Sequence, residues 1–175
     1  MKIYWASLKM LLIFAIVSLL TSCAIWKGGI PTYWRDGGKY PIITNVCGIK
    51  EVSYSTSLQK IVISYIPTNE IVLDTNTTVG FMIQIQPAEK PLYGREFYVL
   101  PKAARWNTTK KQIVSMDHTT CVTDFYVPKG AKYIEDSWGM FADDPLGEYE
   151  IAIFLDNKMA ADFKFHVIAK TSPKN

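Results

Sequence analysis

Residues 79 to 86 read Val-Gly-Phe-Met-Ile-Gln-Ile-Gln. Val79, Phe81, Ile83 and Ile85 fall on one phase of a period of two, and Gly80, Met82, Gln84 and Gln86 fall on the other. Successive side chains of a strand point to opposite faces, so this spacing predicts a half-buried strand. The same period returns near the end of the chain. Tyr149, Ile151, Ile153 and Leu155 form one apolar row. Phe163, Phe165 and Val167 form a second, with Asp162, Lys164 and His166 opposite. Asp156 and Asn157 between the two rows supply turn chemistry, so the segment reads as a hairpin. Shorter strands are expected at 48–54, 60–66, 70–73, 96–100, 112–116 and 121–127. Pro67, Pro87, Pro91, Pro101, Pro128 and Pro145 lie between these runs, where they remove no ladder hydrogen bonds.

Many short strands separated by turn residues imply an all-β chain folded as a two-sheet β-sandwich. Aromatic residues make up 13% of the chain, tyrosine foremost, which suits a pleated, half-buried surface. The run Asp144-Pro145-Leu146-Gly147-Glu148-Tyr149-Glu150-Ile151 resembles the entry to the last hairpin of immunoglobulin-like domains in exported bacterial proteins. In those domains a Gly-x-Tyr step leads into a strand, and a Phe-x-Phe-x-Val strand, here Phe163 to Val167, closes the sheet. The resemblance covers about the last 30 residues and implies an immunoglobulin-like sandwich. The Cys…Trp…Cys core pattern of antibody domains is not clear, because Trp106 sits in the polar stretch Arg105-Trp106-Asn107-Thr108-Thr109.

The N-terminus reads as an export signal. Lys2 and Lys9 precede an apolar run from Met10 to Leu20, too short to cross a bilayer. Leu20-Thr21-Ser22-Cys23 resembles the lipobox of bacterial lipoproteins: an aliphatic residue, two small ones, then the cysteine that is acylated before cleavage. That resemblance implies Cys23 as the lipidated mature N-terminus, membrane attachment through the lipid, and a place in the bacterial cell envelope facing the periplasm. Ala24 stands where such lipoproteins carry an aspartate for inner-membrane retention, so the outer membrane is implied. The expected organisation is a signal peptide at 1–22, a lipidated N-terminus and flexible tether at 23–45, a sandwich domain at 46–169 and a tail at 170–175. Gly28, Gly29, Gly37, Gly38, Pro31 and Pro41 give the tether its irregular character. Its aromatics, Trp26, Tyr33, Trp34 and Tyr40, are expected either at the membrane interface or on the flank of the domain, with Trp26 at the membrane.

The signal carries two of the 19 basic residues and none of the 16 acidic ones, so the rest of the chain is close to neutral. No electrostatic case for nucleic acid remains. Besides Cys23 the cysteines are Cys47 and Cys121. An even pair in an oxidising compartment is expected to be bridged, the alternative being two buried thiols.

No constellation for catalysis is visible. There is no Gly-x-Ser-x-Gly, no Ser-x-x-Lys with its partners and no phosphate-binding glycine loop. His118 follows Asp117 in what reads as a turn, and His166 lies on the outward face of the last strand. Glu135, Asp136, Asp143 and Asp144 flank Trp138-Gly139-Met140-Phe141 without the alternating oxygen ligands of a calcium loop. They read as an acidic loop, with Trp138 or Phe141 capping the core. Neither a metal nor another cofactor is expected. Asn76-Thr77-Thr78 and Asn107-Thr108-Thr109 match the glycosylation pattern by accident of threonine-rich strands and turns.

The function expected is therefore non-catalytic: a membrane-anchored binding or assembly module with a protein partner. Trp106 and Phe154 are the candidate contacts, Phe154 because it lies opposite Ile153 and Leu155. The alternative is a periplasmic inhibitor or immunity-type lipoprotein using the Lys- and Arg-rich segment 101–111. An enzyme would need a pocket joining His118 to the Asp143/Asp144 loop.

Overall fold

The computed structural model describes residues 26–106 and 112–170, and Cys23 with its signal lies outside them. Among the described residues a helical turn, α1 (Thr32–Arg35), precedes ten strands. They are β1 (Thr44–Ser55), β2 (Lys60–Pro67), β3 (Glu70–Val72), β4 (Thr78–Gln84) and β5 (Leu92–Val99), then β6 (Gln112–Val114), β7 (Thr120–Val127), β8 (Tyr133–Gly139), β9 (Gly147–Leu155) and β10 (Lys158–Ile168). One sheet has the order β2-β1-β4-β8 and the other β3-β10-β9-β5-β7-β6. The two pack face to face around a core of Val79, Phe81, Ile83, Tyr149, Ile151, Ile153, Phe165 and Val167.

Among the strands described, the ladders are antiparallel except that of β3, which runs parallel to β10. The chain thus starts in one sheet, places β3 on the edge of the other, and returns to the first with β4. β7 and β6 extend the six-stranded sheet beyond β5, giving an immunoglobulin-like two-sheet sandwich. A tyrosine corner confirms the class. The Tyr149 hydroxyl donates to the Pro145 carbonyl at 2.7 Å, and burial pushes its pKa up. Gly147 explains the Gly-x-Tyr step, since its φ of 130° is open to glycine and not to other residues. Ile151 stands two residues after the tyrosine, where antibody domains carry their second cysteine.

The final hairpin has the expected register. Phe163 pairs with Ile151 and Phe165 with Tyr149, and Asp156 and Asn157 both take positive φ, 45° and 63°. That is a two-residue turn of the primed kind, whose twist suits a hairpin. His166 is exposed, and His118, with φ 57°, occupies a turn, both as expected.

Three expectations are corrected. First, the stretch around Trp138 is a strand, β8, and not an acidic loop. Ile134 and Trp138 pack on the core, while Phe141 is exposed. As the last strand of its sheet, β8 tolerates the charges that disguise it.

Second, the presumed tether is packed. Trp34 of α1 is buried against Phe97 and Phe154 on the outer face of the six-stranded sheet, and Trp26 and Ile30 pack beside it. Backbone hydrogen bonds tie Tyr40 and Gly38 to Met159, and the Gly29 N–H donates to Thr120 Oγ1. Arg35 bridges Glu150 and Asp162. Trp26, expected at the membrane, is half-buried on this sheet, while Tyr33 is exposed.

Third, Cys47 and Cys121 are free. Cys47, on β1, lines a surface hollow with Phe163 of β10. Cys121 is on β7, three strand positions from β10 in the same sheet. At about 4.8 Å per strand the lateral offset is about 14 Å, twice what a disulfide spans. Burial pushes both thiols up, Cys47 to about 12 and Cys121 to about 11.

Candidate functional site

The sheets are unequal in width, and the inequality creates the site. The four-stranded sheet stops at β8, whereas β7 and β6 continue past β5 on the other side. The inner face of this overhang is open along one flank. Register decides which side chains line it. Glu96 pairs with Thr123, Tyr98 with Cys121, and Gln112 with Thr123, so all five share the inner face. Trp138 and Asp136 approach from β8, and Trp106 from the loop after β5. They enclose a cavity of about 190 Å³.

Glu96 is only 7% exposed. Burial, and then the negative charge and hydrogen bonding of Asp136, push its carboxyl up to about 8. Glu96 is therefore protonated near neutral pH. Tyr98 lies between two indoles, with ring centroids 5.7 Å from Trp106 and 4.8 Å from Trp138. Burial raises the Tyr98 hydroxyl well above its ordinary value. The Trp106 N–H donates to the His118 carbonyl at 2.8 Å, which fixes that wall. The buried Trp138 N–H lies near the Tyr98 hydroxyl but reaches no acceptor at hydrogen-bond geometry. Asp144, held by the Phe141 N–H at 2.8 Å, stands nearby, and Arg105 is exposed at the rim.

Of the two expected contact residues, Trp106 is half-buried and forms a wall of this cavity. Phe154 is 0% exposed, which rules it out as an exposed anchor. Its side of β9 is covered by Trp34, so β9 is buried on both faces. His118 and Asp144 both lie near Trp106, but His118 presents its backbone carbonyl there. Asp117 is engaged in its own turn, accepting from Ser115 Oγ at 2.7 Å and the Thr119 N–H at 3.1 Å. Among the described residues no three His, Cys, Asp or Glu side chains converge as metal ligands. Residues 107–111 of the basic segment lie outside the described residues. Glu96 and Tyr98 were not singled out from sequence, and Asp136 was read only as part of an acidic loop. The available signal was Glu96 sharing the phase of Leu92, Tyr98 and Leu100.

A second feature lies at the opposite end of the four-stranded sheet. β1 pairs with β4 only as far as Ile49, and from Lys50 to Ser55 its partner is β2 alone. The β1–β2 hairpin therefore projects from the sandwich. Val52 pairs with Ile63 and Tyr54 with Ile61, so these four share one face, and all are exposed, Val52 at 64% and Ile61 at 65%. The outer edge of β2 has no strand beside it among the described residues.

Solved structures similar to the chain include an immunoglobulin-like protein (PA1606) from Pseudomonas aeruginosa, at 19% identity and a TM-score of 0.42, covering 71% of this chain and 92% of that one. The PmoD soluble domain from Methylocystis sp. ATCC 49242 is similar at 15% identity and a TM-score of 0.33, with 69% and 97% covered. The alkylpurine DNA glycosylase AlkC of Pseudomonas fluorescens is similar at 11% identity and a TM-score of 0.32, over 70% of this chain and 30% of its own. No curated protein matches the sequence. The model of the PM0630 beta sandwich domain matches residues 52–168, and the chain belongs to that family.

Proposed function

We propose that the protein is an exported, lipid-anchored binding module that acts without catalysis and captures a protein partner on its β1–β2 hairpin. The observation that carries this reading is the exposed row Val52, Tyr54, Ile61 and Ile63 beside the free edge of β2. A free edge offers backbone hydrogen bonds to an added strand, and alternate apolar side chains give that strand a surface to pack on. The occupant is an extended segment of the partner, laid along β2.

The anchor rests on the lipobox resemblance at Cys23. The packed N-terminal segment adds a geometric consequence. Trp26 is already docked on the sheet, so only residues 24 and 25 separate the acylated cysteine from the domain. The three steps from Cys23 to Trp26 span at most about 10 Å, so the sandwich would be held against the headgroups rather than on a long leash.

Substituting Ile61→Asp together with Ile63→Asp tests the reading. Both side chains are exposed, so the melting temperature is expected to stay within a few degrees of wild type. The assembly that the wild-type protein forms in native membranes, followed by mobility on a non-denaturing gel, is expected to be lost. A folded double variant that still migrates with the wild-type assembly would overturn it.

A further inference from the structure

The cavity under the sheet overhang has two kinds of wall. One is aromatic: the rings of Trp106 and Trp138 meet Tyr98 at interplanar angles of 79° and 56°, forming a corner of π-faces and edges. The other is acidic: Glu96 and Asp136 oppose each other across the gap between β5 and β8. No basic side chain pairs with either carboxyl among the described residues, although Glu96 is nine-tenths buried. Burying a carboxyl opposite a second one, with no basic side chain between them, is unfavourable.

We propose that the cavity binds a small organic cation, an alkylammonium group of a few carbons, between the Glu96–Asp136 pair and the rings of Tyr98, Trp106 and Trp138. Aromatic rings around a carboxylate attract a cation through their quadrupoles and favour an ammonium carrying carbon over a hydrated metal ion. Aromatic walls supply no oxygen ligands for a hard metal. Size limits the ligand. About 190 Å³ is below the 300–1,000 Å³ usual for drug-sized molecules. The site is distant in the fold from the β1–β2 hairpin, so its failure would leave the partner-binding reading standing.

The chemistry of entry is an exchange of cations. Without a bound cation Glu96 carries a proton below about pH 8. The incoming ammonium takes its place, and the proton leaves to solvent. Affinity is therefore expected to rise with pH through about 8. The groups facing Glu96 are Asp136 from β8, Cys121 from β7 and Tyr98 from its own strand, with Asp144 and Arg105 farther out. Burial holds Cys121 and Tyr98 protonated in this range, so neither supplies the transition.

The test is titration of the full chain in detergent with n-butylammonium and tetramethylammonium chlorides, read by tryptophan fluorescence and calorimetry, with n-butanol as the uncharged control. Saturable binding of an ammonium ion is expected, about tenfold tighter at about pH 8 than at about pH 6.5, with proton release and no binding of n-butanol. Glu96→Gln keeps the side-chain volume and is expected to remove the pH dependence and weaken binding at least about tenfold. Trp106→Phe, checked for folding by its thermal melt, is expected to weaken binding at every pH alike. No saturable signal from either ion in the folded wild type would overturn the proposal, as would equal binding of n-butanol or an unaltered pH profile in Glu96→Gln.

Discussion

Trp34 and Phe154 meet edge to face with ring centroids 5.1 Å apart, although 120 positions of chain separate α1 from the end of β9. Phe97 completes the cluster at 5.7 Å from each, and the Arg95 guanidinium lies 4.9 Å over the Trp34 ring. Arg95 is in turn held by Asp124 through a pair of charge-assisted bonds, one of 2.7 Å, which raises the arginine pKa and lowers that of the aspartate. This cluster makes the N-terminal segment part of the domain.

Trp34→Ala and Phe154→Ala are each expected to destabilise the protein by about 3–5 kcal/mol, because both rings are buried. The double variant is expected to lose less than the sum, since the two rings share one contact. Urea unfolding of the four proteins measures this. Near-zero cost for Trp34→Ala would show the segment to be loose.

The hairpin gives a contrast between adjacent residues. Phe165 is buried against Tyr149, with rings 5.3 Å apart, while its neighbour His166 is exposed. Phe165→Ala is expected to cost about 3–5 kcal/mol and His166→Gln to stay within about 0.5 kcal/mol. Thermal melts distinguish them, and the reverse ranking would mean a register shifted by one residue.

The same alternation explains what was legible and what was not. Val79 to Ile85 and Phe163 to Val167 each have one buried face, and a period of two reveals such strands directly. Phe154 misleads because Ile151 to Leu155 is an unbroken apolar run. That pattern belongs to a strand covered on both faces, but its cover is Trp34, far away in sequence. β8 was hidden because an edge strand carries acidic residues. Glu96 was hidden because its strand begins at Leu92, four residues before the expected start, which left Glu96 at the strand end rather than within its inward row. The cysteine pair depended on strand order, about which spacing along the chain says nothing.

Glu96 ties stability to pH. Its pKa is raised from 4.5 to about 8 on folding, so between those values the folded state holds a proton that the unfolded chain has lost. Stability is therefore expected to fall as pH rises through this window, by a total on the order of a few kcal/mol, and to level off above it. Glu96→Gln is expected to flatten the slope and to be the more stable protein at pH 8. Denaturation midpoints from about pH 5 to pH 9 measure it.

The free thiols give a redox prediction. Dithiothreitol is expected to leave the melting temperature unchanged, because no bridge joins Cys47 to Cys121. Both thiols are expected to alkylate slowly in the native protein and completely in urea, consistent with their burial and raised pKa values. A mass two units lower in the exported protein would reveal a bridge.

The central claim is that the β1–β2 hairpin is where a partner binds. The most direct measurement places a photo-crosslinking side chain in turn at Tyr54, Ile61 and Ile63, with the exposed Ile113 on β6 and Tyr126 on β7 as controls, in the native membrane. The expected result is one protein adduct of the same mass from all three hairpin positions and none from the controls. Adducts to lipid alone from the hairpin, or the same protein adduct from Ile113 and Tyr126, would contradict it.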